Sequence, residues 1–340
     1  MIILCCVCVI QLFSYLSGSS YKKTCVMWNT MEKVNNNSSP RPEKIFDAHI
    51  HFWDLKKRRE YVPQNPSFDW PNNSTPGIFK NYLPQDYSHV PFHDAIFVQA
   101  LNQCPQEIEW AQELCKSSAP FIKGIVGGLD FTKPDNILEY ISMYRKGKCP
   151  LIGLRHILDA DKDPQGFFER EDVLKSLELI DRSNLDMTVD LVLRPHNLYI
   201  ASNLASKYPS IRFMIDHIAK PQMSSDGLSS RHETWMREMK KASNHSNVYA
   251  KISGLINEVD PNVRKEDAIS VIQPFTDFVL ESFGSKRFVF GSDWPVSIDS
   301  SYEYDDVIRL ADGLLSHLSV SEREDIFYNN GIGFYGIKDL

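Results

Sequence analysis

His49 and His51 are the first residues in this sequence whose type and spacing could do chemistry. They stand two positions apart at the end of a short apolar run, residues 45–49. Side chains two residues apart on an extended chain point to the same face, so the pair could supply two metal ligands or two substrate contacts. In isolation, two such histidines could equally be ordinary buried or exposed residues. Their meaning therefore depends on the element that carries them.

A third imidazole and a carboxylate follow two later apolar runs. His217 comes after residues 211–216, and Asp293 comes after residues 288–291. Taken alone, His217 could be a core histidine, and Asp293 could be a turn residue or a helix cap. If both runs are strands that end at the same rim as the histidine pair, the four side chains could bind a metal ion or deprotonate a water molecule.

The elements that would position these residues are eight short apolar runs rich in β-branched residues, separated by stretches with helical periodicity. Such runs are typical of buried parallel strands, and eight βα repeats predict a single-domain α/β protein, a (β/α)₈ barrel of the TIM type. An open doubly wound sheet also alternates strands with helices, but it usually carries a Gly-rich phosphate loop after its first strand. That position here holds His49-Ile50-His51. In a closed barrel the eighth strand lies beside the first, which would place Asp293 next to the two histidines.

The predicted boundaries follow from the same pattern. The strands are residues 45–49, 95–99, 122–129, 151–155, 187–193, 211–216, 248–253 and 288–291. The helices are residues 106–116, 135–145, 172–182, 198–208, 233–242, 267–283 and 304–315, with a last helix through residue 328 that begins at a capping box in residues 321–324. Residues 53–87 are predicted to form a long loop over the mouth of the barrel, in which the basic run 56–59 is a solvated segment.

Four segments together resemble the amidohydrolase-related family of the amidohydrolase superfamily. They are FDAHIHFW at residues 46–53, DHIAKP at 216–221, KISGL at 251–255 and FGSDWP at 290–295. The branch they resemble contains fuconolactone and rhamnonolactone hydrolases and 2-pyrone-4,6-dicarboxylate lactonase. The resemblance covers residues 45–337 and is carried by the four segments jointly.

This resemblance implies hydrolysis of a small lactone by an activated water. Asp293 matches the family's eighth-strand base, and His49, His51 and His217 match its first- and sixth-strand histidines. With one Zn²⁺, these four side chains would be the ligands; without a metal, Asp293 would take the proton from water while histidines polarise the carbonyl. Both versions stay open.

A two-metal site is not expected. Superfamily members with two metals carry a fourth-strand Lys or Glu and a fifth-strand His, whereas this sequence has Arg155 and no histidine in residues 187–193. Arg155 could bind a substrate carboxylate or hydroxyl, or form an ion pair with Asp190 or Asp216.

Several other residues near predicted strand ends are candidate substrate contacts, each with a structural alternative. Histidines could be loop or core residues, tryptophans could pack the rim, and lysines could form ion pairs. These candidates are His156, His196, Trp53, Trp294, Lys220 and Lys251.

The composition indicates which kinds of binding partner and which cellular compartment to expect. A net charge of −7 and a pI near 5.8 disfavour nucleic-acid binding, because phosphate contacts need clustered Lys and Arg. We expect a small-molecule substrate, no stable membrane insertion, and a monomer or a homodimer. Seven cysteines without CxxC or zinc-ribbon spacing favour reduced thiols and a cytoplasmic enzyme.

The N-terminus is expected to lie outside the barrel. Residues 1–43 are predicted to be a disordered extension and residues 44–340 the barrel. The apolar segment 1–16 is either a signal or anchor, which would make the protein secreted, or a start-site artefact with translation beginning at Met27 or Met31.

Two other functions are weighed against lactone hydrolysis. One is a metal-dependent non-oxidative decarboxylase of a small carboxylic acid, since such relatives share the barrel and the eighth-strand aspartate. The other is a barrel that binds a small ligand without turnover. The combination of three histidines with Asp293 disfavours this last reading, because a scaffold without chemistry needs no convergent acid and base set.

Overall fold

The computed structural model describes residues 42–61, 70–87, 94–158, 163 and 166–338. Residues 1–41 lie outside the described residues, and so does nearly all of the predicted N-terminal extension. The domain boundary expected at residues 43 and 44 therefore stays a prediction.

Eight parallel strands form one sheet in sequential order, as the βα repeats predicted. The ring closes between the first and last strands, where Ile50 forms a parallel bridge with Trp294 and the Asp293 N–H donates to the His49 carbonyl at 2.9 Å. The fold is the predicted (β/α)₈ barrel. Its strands are β1 (Phe46–Ile50), β2 (Asp94–Val98), β3 (Ile122–Gly127), β4 (Leu151–Ile157), β5 (Thr188–Val192), β6 (Arg212–Ile215), β7 (Val248–Ile252) and β8 (Phe288–Phe290).

The longer helices pack around the strands because they present an apolar stripe at helical spacing. In the helix Glu171–Arg182, for example, Val173, Leu177 and Ile180 are buried. The helices are α1 (Leu55–Tyr61), α2 (Pro105–Ser117), α3 (Pro134–Tyr144), α4 (Glu171–Arg182), α5 (Tyr199–Lys207), α6 (Glu233–Ser243), α7 (Ala268–Phe283), α8 (Tyr304–Leu314), α9 (Val320–Glu324) and α10 (Asn330–Tyr335).

Two helical predictions need correction. The basic run at residues 56–59 lies in α1 and is not a loop, and Asp54 accepts hydrogen bonds from the N–H groups at its start. The last helical segment begins two residues earlier than predicted, because Ser319 caps α9 and forms its capping box with Glu322. It also continues past residue 328, through a π-helical turn and into α10.

The helix α10 closes the N-terminal end of the barrel. Its residues Phe334 and Tyr335 join the buried interior cluster that fills this end, together with inward-facing side chains from the strands. The strand residues of this cluster are Phe46, Ala48, Ile96, Val98, Val126, Ile152, Met214 and Val289. The last two residues of α10 therefore reach the interior of the barrel from the side opposite the rim.

Two of the three cysteines in the described residues differ from the expectation of reduced thiols. Cys115 near the end of α2 and Cys149 just before β4 form a disulfide with their Cα atoms 6.3 Å apart, and Cys104 is a buried free thiol. Within the described ranges, no helix combines the length and apolar character needed to span a bilayer. The cytoplasmic location stays a prediction.

Candidate active site

The ends of β1 and β8 bring the predicted base and the histidine pair together. The His51 N–H donates to the Trp294 carbonyl at 2.8 Å, and the Asp293 N–H donates to the His49 carbonyl at 2.9 Å. These two backbone bonds place the three side chains at the C-terminal rim, where barrel enzymes carry their chemistry. All three are buried.

Three side-chain atoms that can bind a metal ion converge at this point. His49 Nε2 lies 3.2 Å from His51 Nε2, and Asp293 Oδ1 lies 3.3 Å from His51 Nε2 and 3.5 Å from His49 Nε2. The Val98 carbonyl, 2.7 Å from His51 Nδ1, accepts the proton of that nitrogen, which leaves His51 Nε2 bare. We call His49, His51 and Asp293 the acceptor cluster, because it can receive a metal ion or the protons of a water molecule.

A left-handed turn after β6 presents His217 to the same point. Four successive residues, from His217 to Lys220, have positive φ angles between 45° and 60°. This conformation costs L-residues roughly 1–2 kcal/mol each. The turn is tied down by Trp235, whose Nε1 donates to the Ile218 carbonyl at 2.8 Å. The His217 ring centroid lies 4.8 Å from that of His49, and its Nδ1 lies 2.9 Å from Ser253 Oγ.

At Gly254 the backbone passes unusually close to the side chains of Asp293 and His217. Its φ is +60°, and a Cβ there would lie 2.7 Å from both Asp293 Oδ2 and His217 Nδ1. Both the angle and the space require glycine.

Burial decides the charge states in the cluster. It lowers the pKa of His217 to about 4, against the opposing charges of Asp293 and Asp216, and it also lowers the pKa of His49 and His51. Burial acts to raise the pKa of Asp293, but the surrounding histidines outweigh it and lower that pKa below its ordinary value. At neutral pH the cluster therefore combines neutral imidazoles with an ionised carboxylate.

These residues fit a single divalent metal ion. Ligands in a tetrahedral zinc site with bonds of about 2.0–2.1 Å stand roughly 3.3 Å apart, close to the separations in the acceptor cluster. His49, Asp216 and His217 form a second group whose ligand atoms lie within 4.8 Å of one another. Arg155 Nη1 lies 3.0 Å from His49 Nε2, so a metal bound by His49 would replace that hydrogen bond.

Arg155 lies beneath the acceptor cluster and does not face solvent. Its Nη1 also contacts Asp216 Oδ2 at 3.1 Å, and its Nη2 donates to the Gln99 carbonyl. Of the alternatives raised by the sequence, the structure shows the ion pair with Asp216.

Lys251 occupies the centre of the barrel at the same level. Its Nζ lies 2.8 Å from Asp190 Oδ2, 2.8 Å from Asp216 Oδ1, 2.9 Å from Tyr335 Oη and 3.2 Å from His49 Nδ1. The two carboxylates raise the pKa of Lys251 against the effect of burial, so it is a cation. We call Arg155, Lys251, Asp190, Asp216 and Tyr335 the charge layer. The sequence indicated Asp190 and Asp216 only as ion-pair partners, and it gave no sign of Tyr335.

Asp47 is a second residue that sequence reasoning missed, although it lies inside the first motif. Its Oδ1 accepts the N–H groups of His49 at 3.1 Å and Ser292 at 2.8 Å, and its Oδ2 accepts from Tyr87 Oη. A single buried carboxylate thus joins the backbones that carry the histidine pair and Asp293. Its position at the start of an HxH segment was the available signal.

The remaining candidates are not brought into the acceptor cluster. Trp53 and Trp294 are buried in an aromatic group with Tyr82, and Trp53 Nε1 donates to the Lys80 carbonyl. His156 stacks on Phe167 with ring centroids 3.7 Å apart, whereas the neighbouring Arg155 points into the barrel. His196 is exposed in the loop after β5, and Lys220 is partly exposed at the end of the left-handed turn. Their roles as substrate contacts stay predictions.

Comparison with known proteins agrees with this architecture. Residues 182–337 match a family described as amidohydrolase. The chain is 29% identical over 255 residues to an L-fucono-1,5-lactonase from Burkholderia ambifaria, covering 74% of this chain and 80% of that protein. It is 26% identical to an L-fucono-1,5-lactonase from Burkholderia multivorans, covering 86% of this chain and 96% of that protein.

A solved structure of similar fold is an amidohydrolase from Burkholderia multivorans with bound zinc. The TM-score is 0.73 and the identity 24%, and the alignment covers 87% of this chain and all of that one.

Proposed function

We propose that this chain is a member of the amidohydrolase family and a hydrolase that opens a small lactone by attack of water activated at Asp293. The observation that carries the proposal is the acceptor cluster, in which an ionised carboxylate stands beside two neutral imidazoles at the rim of the barrel. A carboxylate in that position can accept a proton from water and return it later in the reaction. The lactonases similar to this chain support the substrate class.

The proposed reaction balances within the cluster. Asp293 takes one proton from water as the water oxygen bonds to the lactone carbonyl carbon. The bond from that carbon to the ring oxygen then breaks, and the departing ring oxygen takes the proton from Asp293. The product is an open hydroxy acid. His217 lies across the cluster with one ring nitrogen held by Ser253, so its other nitrogen can contact the carbonyl oxygen.

A metal ion can be accommodated in the same site. His49, His51 and Asp293, with His217 nearby, would hold one divalent ion such as Zn²⁺, which would lower the pKa of a bound water toward neutrality. The zinc-containing structure of similar fold supports this version. In the metal-free version the same residues act through hydrogen bonds alone. Elemental analysis of purified protein, with turnover measured before and after chelation, separates the two.

The central test is turnover of aldono-lactones followed with a pH indicator, using Asp293→Asn. We expect kcat to fall by about 10²- to 10⁴-fold while the fold is retained. Asp305→Asn makes the same chemical change at an exposed position in the first turn of α8 and should leave kcat unchanged. Full turnover in Asp293→Asn would remove Asp293 as the base. Release of CO₂ from a carboxylic acid, with no acid from any lactone, would favour a decarboxylase instead.

A further inference from the structure

β1 contains a bulge between Asp47 and Ile50, and this bulge turns His49 into the barrel. The register between β1 and β2 shifts there, because two residues of β1, Ala48 and His49, stand opposite a single residue of β2. Successive residues of a regular strand face opposite sides. Here both residues face inward, since Ala48 packs in the interior cluster and His49 contacts Lys251. The extra residue therefore re-aims the side chain that follows it.

Asp293 stands on an equally irregular backbone after β8. Its φ is +59°, in the left-handed region that L-residues avoid. The N–H group before it, that of Ser292, donates to Asp47 Oδ1 at 2.8 Å. The N–H group after it, that of Trp294, donates to Ser292 Oγ at 3.0 Å. The conformation of Asp293 is thus held by hydrogen bonds on both sides.

Asp47 serves both irregular backbones with one oxygen atom. Its Oδ1 accepts the N–H of His49, inside the bulge, at 3.1 Å as well as the N–H of Ser292. The side chain is fully buried, so water does not compete for these donors. Because one atom binds both N–H groups, the bulge of β1 and the turn after β8 are fixed relative to each other.

Two phenols hold the other carboxylate oxygen of Asp47. Tyr87 Oη donates to Asp47 Oδ2 at 3.2 Å, and Tyr304, the first residue of α8, also hydrogen-bonds to Asp47. The two hydroxyl oxygens lie 3.2 Å apart. With both of its oxygens bonded, the carboxylate cannot rotate without losing contacts. The phenols therefore keep Oδ1 in the orientation that the two backbones require.

We propose that Asp47 is a positioning residue that aims His49 and Asp293 at the same point, by holding the bulge of β1 and the left-handed turn after β8 with one oxygen. Its role is to accept hydrogen bonds from the backbone. The effect on turnover rests on the proposed lactone hydrolysis, but the placement of the two side chains does not depend on it.

The test compares Asp47→Leu with Asp47→Asn. Leucine has nearly the shape of aspartate but accepts no hydrogen bond, whereas asparagine keeps an oxygen for both N–H groups and can donate its amide protons to Tyr87. We expect Asp47→Leu to lower kcat by about 100-fold with KM within about twofold, because a misplacement of about 1 Å can cost that much. Asp47→Asn should restore kcat to within about threefold of the wild type, because it keeps the acceptor. If Asp47→Asn were as slow as Asp47→Leu, the negative charge would be required and the proposal would be overturned.

Asn330→Leu is the matched control for loss of stability. Asn330 Nδ2 donates to the carbonyls of Ser285 at 2.7 Å and Phe288 at 2.8 Å, so this variant removes two backbone contacts at the opposite end of β8. Urea unfolding should show a loss of stability in Asn330→Leu as in Asp47→Leu, because both leave backbone groups without a partner. Only Asp47→Leu should lose turnover. An equal fall of kcat in both would overturn the proposal.

Crystal structures of the chelator-treated variants give a readout that needs no turnover. The distance from His49 Nε2 to Asp293 Oδ1 is 3.5 Å in the wild type. We expect it to lengthen by about 1 Å or more in Asp47→Leu and to stay unchanged in Asp47→Asn. An unchanged distance in Asp47→Leu would overturn the proposal. If the wild-type protein hydrolyses no lactone, the proposed function fails, and this distance still decides the role of Asp47.

A double variant covers the case in which Asp47→Leu does not fold. Tyr87→Phe with Tyr304→Phe frees Asp47 Oδ2 and leaves the carboxylate in place. We expect kcat to fall by about 10-fold with KM unchanged, as is usual when the partners that orient a supporting carboxylate are lost. The same lengthening between His49 and Asp293 should appear in its crystal structure. Wild-type turnover and distance in the folded double variant would show that the orientation of Asp47 is not needed, which contradicts the proposal.

Discussion

The acceptor cluster and the charge layer lie one above the other in the barrel, yet their polar atoms are paired in different ways. In the cluster, two imidazole nitrogens and one carboxylate oxygen, from His49, His51 and Asp293, face one another at 3.2–3.5 Å. In the layer, the cations Arg155 and Lys251 face the carboxylates of Asp190 and Asp216. The cluster needs an incoming group to complete it, whereas the layer is already balanced.

This difference indicates that the acceptor cluster performs the chemistry and that the charge layer supports it structurally. A set of converging lone pairs is poorly satisfied by itself and is suited to receive a water or a metal ion. In a set of paired buried charges, removal of one member leaves its partners uncompensated. Changes in the cluster should therefore affect turnover, and changes in the layer should affect folding first.

The largest expected effect on stability is that of Lys251→Met. It leaves Asp190 and Asp216 in the barrel without their shared cation, and breaking a buried pair in this way costs about 3–5 kcal/mol. Urea unfolding measures the loss. Lys265→Met removes a half-exposed pair with Asp306 and should cost no more than about 1 kcal/mol. An equal loss of unfolding free energy in the two variants would show that the charge layer contributes no more to stability than a surface ion pair.

The next effect in size is the pH dependence that the cluster gives to folding. Burial lowers the pKa of His217 to about 4 in the folded protein, against an ordinary value of 6.5 in the unfolded chain. Between these values the unfolded chain binds the proton and the folded chain does not, so stability falls as the pH is lowered from about 6.5 to 4. The loss from His217 alone is about 2–3 kcal/mol. Urea unfolding of chelator-treated protein should show a shallower decline in His217→Asn, and an unaltered slope would contradict the assignment.

The smallest effect should come from Gly254→Ala, which tests the close approach of the backbone to the cluster. Alanine at a φ of +60° costs roughly 1–2 kcal/mol, and its Cβ would press on Asp293 and His217. Gly227→Ala is the control, since Gly227 has a φ of +66° and nothing within 4 Å of the added carbon. Gly254→Ala should lose at least as much stability as Gly227→Ala, and only Gly254→Ala should lose turnover. Equal turnover in the two would show that the approach at Gly254 is unimportant.

The sequence predicted the barrel well because its parallel strands are buried on both faces and appear as short continuous apolar runs. The same reasoning placed Asp293 beside His49 and His51, since a closed ring makes the first and eighth strands neighbours. It could not find the charge layer. A lysine at the centre of a barrel contradicts the usual preference for apolar interiors, and its partners Asp190 and Tyr335 lie 61 and 84 residues away.

The direction in which an individual side chain points at a strand end was even harder to predict from the sequence. Arg155 and His156 are adjacent in sequence, and only the first points into the barrel, because successive residues of a strand alternate between its faces. Tyr335 could not be placed because the predicted last helix stopped at residue 328, seven residues short of it.

Ring closure between β1 and β8 has a consequence for how this protein gains activity during folding. His51 and Asp293 meet across a separation of 242 residues, so their contact is among the most distant in the chain. Contacts of such long range form slowly, because so much chain entropy is lost before they are made. After dilution from denaturant, turnover should thus recover only when β1 and β8 pair and close the sheet. Folding intermediates in which seven strands are already paired should still have no activity.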